Sequence, residues 1–145
     1  MATALAREPL AMVSYRVGKA ADRAYVARTW VRAYAHTDWG RDTGRVYAAE
    51  HPLVVASILE RGAELRVAHV IDDEDAILGF AVTEGRCIHY VYVRVETRRL
   101  GIARTLLGYR VAESSEVLEF SHRPQALGLK LPPRWAYNPY RAFRG

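Results

Sequence analysis

Apolar residues recur at three- and four-residue steps through Ala20, Ala24, Ala27, Val31 and Tyr34, the spacing of one helix face, and predict a helix over 20–35. A short β-rich run, Leu10 to Val17, precedes it and closes at Gly18. The turn-forming stretch His36 to Gly44 ends that helix. A second helical region follows, with Leu53, Val54, Ile58 and Leu59 as its apolar positions and Gly62 as its stop. Pro52 stands either in its first turn or at a break.

The period then shortens to that of strands. Leu65 to Ile71 reads as a strand, Asp72-Asp73-Glu74-Asp75 as an acidic turn, and Ala76 to Thr83 as the hairpin partner. Arg86 to Val95 is apolar on both sides, with Ile88, Tyr90 and Tyr92 on one face and Val91, Val93 and Val95 on the other, as in a central strand covered twice. Ile102, Ala103, Leu106, Leu107 and Tyr109 give a third helix a broad apolar stripe. Glu116 to Ser121 is the last clear strand, parallel to its predecessor because a helical crossover separates them. Gln125 to Leu131 reads as a short helix, and Pro132-Pro133 opens an aromatic, basic tail. With no repeat or linker, residues 1–145 are expected to form one α/β (α+β) domain.

Half of the 145 residues are apolar, enough for a core without disulfides or metal, and the single cysteine, Cys87, excludes a disulfide framework. No apolar run suits a secretory signal or a membrane span, so no membrane partner and a cytoplasmic location are expected. The net charge of +5 is unevenly placed: residues 86–145 hold eleven Lys+Arg against four Asp+Glu, whereas residues 1–85 hold ten against twelve. A basic half attracts polyanions, whether a phosphorylated cofactor or nucleic acid.

The richest segment is Val91 to Arg104, a strand running through a tight turn into a helix with an Arg-x-x-Gly-x-Ala core. A helix start there exposes backbone N–H groups, Gly101 lets an anion approach, and the dipole favours negative charge. Neither the Gly-Lys-Ser/Thr of a Walker loop nor a Gly-x-Gly-x-x-Gly fingerprint is present. The segment resembles the acyl-CoA-binding signature of the GNAT N-acetyltransferase superfamily, with Arg98, Gly101 and Ala103 in its three defining places. The predicted order of elements over about 10–122 agrees with the GNAT core.

That resemblance implies a mixed, mainly antiparallel central sheet with a splayed pair of parallel strands and helices on both faces. It also implies acetyl-CoA or another acyl-CoA as the donor to an amine. Arg98 would belong to the cofactor site, Arg99, Leu100, Gly101, Ile102, Ala103 and Arg104 would clasp its pyrophosphate mainly through main-chain N–H groups, and Val91, Tyr92 and Val93 would pair with the pantetheine. The C-terminal part is shortened, because His122-Arg123-Pro124-Gln125-Ala126-Leu127 stands where many members carry Asn-Ala and later Tyr-x-x-x-Gly-Phe.

His122, with Ser121 beside it, is the favoured proton acceptor, since an imidazole titrates at about 6.5 and a strand end faces the cleft in such folds. A surface histidine at a strand exit is the plainer alternative. Glu119 alternates with Leu118 and Phe120 and reads as solvated, and His89 reads as a hydrogen-bonded core histidine. Tyr137 is a candidate to protonate the leaving thiolate if the tail folds over the cleft; otherwise it packs on the core. Trp30, Tyr34 and Tyr47 are the acceptor-side candidates, although aromatic residues there can equally be core. The scattered histidines show no metal-ligand spacing, so no metal is expected.

The His-Tyr-Val-Tyr-Val strand, the Tyr-Asn-Pro-Tyr tail and the small size also resemble phage-encoded GNAT-like proteins, including the Mom-type DNA-modification proteins. That likeness implies a nucleobase amine, such as that of adenine, as acceptor and DNA as a partner. Three functions therefore stay open: an N-acyltransferase acting on an unknown amine, a DNA-base-modifying enzyme, and a silent acyl-CoA-binding module. A homodimer is also left open.

Overall fold

The computed structural model describes residues 12–98, 100–113, 118–123 and 135–143, with backbone alone for 109–113. Its centre is a mixed sheet in the order β1 (Val13–Val17), β2 (Glu64–Val70), β3 (Asp73–Glu84), β4 (Cys87–Val93), β5 (Glu119–Phe120) and β6 (Ala136–Tyr137). The first four strands pair antiparallel, whereas β4 with β5 and β5 with β6 are parallel. The crossover between β4 and β5 carries α3 (Ile102–Glu113), which is why that pair is parallel as expected.

Between β1 and β2 lie a 3-10 turn at Ala20–Asp22, then α1 (Arg23–Tyr34) and α2 (Asp38–Glu60). The stripe Val26, Trp30 and Tyr34 faces inward and meets Val55 and Ile58 of α2 with Val67, Phe80, Val82 and Tyr90 of the sheet. Trp30 is wholly buried and lies flat on Tyr90, with ring centroids 5.3 Å apart. Each large apolar side chain enclosed in this way stabilises the fold by about 1.5–3 kcal/mol relative to exposure. Ile102, Leu106 and Leu107 of α3 cover the other face, on Ala68, Ala81, Val91 and Val93. Helices therefore lie on both faces, as the pattern requires.

Several expectations need correction. His36 to Gly44 is not a plain turn, because α2 already begins at Asp38, capped by Thr37 and bent at Gly44. Thr, Asp and Gly favour helix starts as well as turns. Pro52 lies inside α2, neither in its first turn nor at a break. The acidic turn is short, since β3 starts at Asp73. β4 is shorter than 86–95, and Ile88 is on the opposite face from Tyr90 and Tyr92, packed with Val91 and Val93. Val82 pairs with Tyr90 but Thr83 pairs with Ile88, so His89 is the extra residue of a bulge that reverses the alternation.

Glu119 is also not simply solvated: Arg141 donates to its carboxylate at 3.2 Å, and the Asn138 amide donates to it as well. Both partners belong to the tail, which adds β6 and a 3-10 turn at Pro139–Ala142. Arg61, just past α2, fixes that tail by donating to the carbonyls of Arg141 at 2.9 Å and Ala142 at 3.1 Å while gripping Glu84 at 2.8 and 3.0 Å. Residues 1–11, the start of the 116–121 strand and the 125–131 helix lie outside the described residues.

Candidate active site

Pairing of β4 with β5 stops at Ile88 and Phe120, followed by one bond from the Ser121 N–H to the Ile88 carbonyl. Further along, Arg94 N–H bonds Leu78 of β3, so alternation turns the backbone groups of Val91 and Val93 to the opposite edge, beyond the reach of β5. The parallel pair thus splays at the end of β4 that leads into the turn. Arg98 reaches back and donates from Nε to the Val93 carbonyl at 3.0 Å.

Gly101 ends this turn with φ of 76°, in the left-handed region, and a Cβ built there would meet nothing within 4 Å. Its carbonyl accepts the Thr105 N–H and the Thr105 hydroxyl, both at 2.9 Å, making Gly101 the N-cap of α3. A glycine cap brings no side-chain acceptor, so the N–H groups of Ile102, Ala103 and Arg104 have no partner among the described residues. Ile102 is buried and anchors the helix start to the sheet, whereas Arg104 is exposed and Leu100 is half-buried. Arg99 lies outside the described residues.

A second feature is interior. Glu84 accepts from His89 Nε2 at 2.8 Å; His89 Nδ1 meets Ser121 Oγ at 2.7 Å; Ser121 Oγ meets His122 Nδ1 at 2.8 Å; and His122 Nε2 meets His51 Nε2 at 2.9 Å. His89 is 0% exposed, Ser121 3%, His122 4% and His51 7%, so the row is sealed except near its ends. Burial lowers the pKa of His89 and His122 and takes that of His51 to about 4, keeping all three imidazoles neutral at pH 7. The hydrogen bond from Arg61, with a lesser contribution from His89, holds Glu84 ionised with a pKa of about 2.

No protein-family model and no curated protein matches the sequence. Among solved structures, the apo form of YjaB from Escherichia coli, determined in solution, matches with a TM-score of 0.54 and 22% identity over 72% of this chain and 67% of that one. The strand-helix-helix order, the three-strand meander and the parallel strand after a crossover helix complete the pattern. The fold is shared with YjaB and is the one that the GNAT resemblance implies. A possible acetyltransferase from Clostridium difficile 630 also matches (TM-score 0.49, 21% identity, 70% of each chain). So does YncA of Salmonella typhimurium, solved with its cofactor acetyl-CoA (TM-score 0.44, 20% identity, 70% of this chain and 62% of that one).

On this scaffold the sequence-derived candidates separate into two groups. Val91, Tyr92, Val93, Arg98 and Leu100 to Arg104 follow one another along the splayed edge and turn. Ser121 and His122 belong to the buried row, and Tyr137 lines the same narrow crevice as both. The Tyr137 ring lies 5.4 Å from that of Phe120, with the Arg123 guanidinium over it at 4.4 Å. Trp30, Tyr34 and Tyr47 are buried at 0%, 2% and 5% exposure and wall the histidine pair instead of an open acceptor cleft.

The open cleft lies elsewhere. A space of about 740 Å³ between α1 and the end of β4 is lined by Arg32, Arg94 and Arg98 with Tyr25, Tyr92 and His36. Among the described residues no carboxylate belongs to that lining, and the volume suits a small-molecule ligand. No local pattern signals that Arg94 and Arg32 converge, or that His51 and Glu84 join the row. Among the described residues no group of three His, Cys, Asp or Glu is placed to hold a metal ion, and no helix is long and apolar enough to cross a membrane.

Proposed function

We propose that the protein is an acyl-CoA-dependent N-acyltransferase, one domain that binds the thioester along β4 and the turn after it. The observation that carries this reading is the glycine-capped start of α3, where three N–H groups lack partners among the described residues and a Cβ at Gly101 would enter open space. A pyrophosphate fits such a cradle because donors and helix dipole act together. The backbone groups of Val91 and Val93 can pair with an amide-bearing pantetheine as an added strand would. When bound, acyl-CoA supplies an activated carbonyl and a thiolate leaving group.

This chain's own residues orient the amine, take its proton and return one to the thiolate. The neutral histidines next to the splay suit proton acceptance at pH 7, since an imidazolium has no lone pair to offer. Calorimetric titration of CoA into the protein, then into Gly101→Val, tests the site, with micromolar binding expected for the first and loss for the second. Undiminished affinity in the variant overturns the assignment. Acetyl-CoA turnover with a panel of amines, followed through free thiol, separates an enzyme from a silent binding module.

The three guanidinium groups and aromatic faces of the cleft favour an anionic acceptor, and a nucleobase amine in DNA meets that description. Nucleoside analysis of DNA from cells expressing the protein tests this narrower reading. Unmodified DNA together with turnover of a small amine excludes it.

A further inference from the structure

Hydrogen-bond directions in the buried row are fixed by chemistry from one end. Glu84, ionised beside Arg61, only accepts, so His89 carries its proton on Nε2. The Nδ1 of His89 is then a lone pair, and Ser121 Oγ donates to it. With its only proton committed, Ser121 Oγ accepts from His122, whose protonated nitrogen must be Nδ1. His122 Nε2 is left as a lone pair, so His51 supplies the proton across the Nε2–Nε2 contact.

Every donor therefore points toward Glu84, and the row ends on the Nδ1 lone pair of His51, which has no hydrogen-bond partner among the described residues. His51 and His122 line a crevice of about 10 Å³ beneath Trp39, Tyr137 and Phe143, room for about one water molecule. Tyr34 and Tyr47 stack on His51 and hold its ring in place, and the Tyr47 hydroxyl is anchored on the Val31 carbonyl at 2.5 Å.

We propose that His51 Nδ1 is the proton-accepting end of this row and serves as the general base of the reaction, directly or through a water in the crevice. His122, Ser121, His89 and Glu84 are positioning residues that lock its tautomer. The role as base rests on the acyltransferase reading; the directed row does not. A proton taken at Nδ1 leaves His51 as an imidazolium whose Nε2–H stays on His122 Nε2, while Glu84 remains ionised beside Arg61. The same Nδ1–H is then delivered to the departing thiolate.

Long-range ¹H–¹⁵N spectra of uniformly labelled full chain test the proposal. The expected tautomers are Nε2–H for His89, Nδ1–H for His122 and Nε2–H for His51. Ser121→Ala cuts the row, so His122 and His51 should give averaged shifts while His89, still held by Glu84, keeps its own. Diethyl pyrocarbonate, which attacks an imidazole nitrogen with a free lone pair, should label His51 before His89 and His122. A wild-type His51 protonated on Nδ1, His51 signals unchanged in the variant, or no labelling of His51 before unfolding overturns the proposal. None of these measurements uses CoA, so failure here and failure of CoA binding are distinguishable.

Discussion

His51 and His122 are 71 residues apart in the chain and meet Nε2 to Nε2 at 2.9 Å, one from the interior of α2 and the other from the end of β5. Two imidazoles this close cannot both be charged, because two imidazolium ions would repel in a buried site and neither would have a lone pair to accept the bond.

Acid should therefore unfold the protein early. In the unfolded chain these histidines titrate at about 6.5, whereas burial lowers His51 to about 4 and lowers His89 and His122 as well. The unfolded state binds more protons between those values, so stability present above about pH 6.5 is lost as pH falls toward about 4. Each group contributes up to about 1.4 kcal/mol per pH unit. Urea midpoints at pH 7.5, 6 and 5 should decline in order, and a flat series rejects buried neutral histidines.

Gly101→Val should weaken CoA binding at least about 10-fold, with a folding cost of about 1–2 kcal/mol for a side chain at positive φ. Gly62 provides the control, since it has φ of 94° and open space where a Cβ would stand. Gly62→Val should show the same folding cost with CoA affinity intact. Equal loss of affinity in both variants would mean that strain, not blocked approach, was measured.

Arg61→Ala removes the fork on Glu84 and frees the carbonyls of Arg141 and Ala142. With both side chains of the pair about one-fifth exposed or less, the expected loss is about 2 kcal/mol, read as a lower denaturation midpoint. Tryptic cleavage at Arg141 should speed up in the same variant. A stable variant with an equally protected tail contradicts this role.

Arg32→Glu reverses the charge of the α1 wall of the cleft and leaves the helix start at 101–104, outside the cleft lining, unchanged. For an anionic acceptor, KM should rise by 10-fold or more on the order of a lost charged contact, while the CoA dissociation constant stays put. A change in CoA affinity alone would assign the cleft to the donor.

Legibility along the chain followed locality. Val91 to Val93 and the turn to Arg104 could be read because strand, turn and helix start are written in consecutive residues. Thr37 and Asp38 suit a turn and a helix cap equally, and only the packing of α2 on α1 selects the cap. Ile88 changed face because the partner strand sets the bulge at His89. Trp30, Tyr34 and Tyr47 were ambiguous as aromatic residues on helical stripes, and enclosure against Tyr90, His51 and His122 decided for the interior.

By itself the sequence determined the alternation of helices and strands, the parallel return after the crossover, and a turn that ends on a glycine-capped helix start. Those depend on periodicity and on backbone freedom at single residues, which act over a few positions. The tertiary structure decided which histidines touch, which acid ends the row, and which arginines converge on one cleft. Such contacts join α2, β3, β4 and β5, and a side chain's partner across a packed core is set by register and burial, quantities that no local pattern carries.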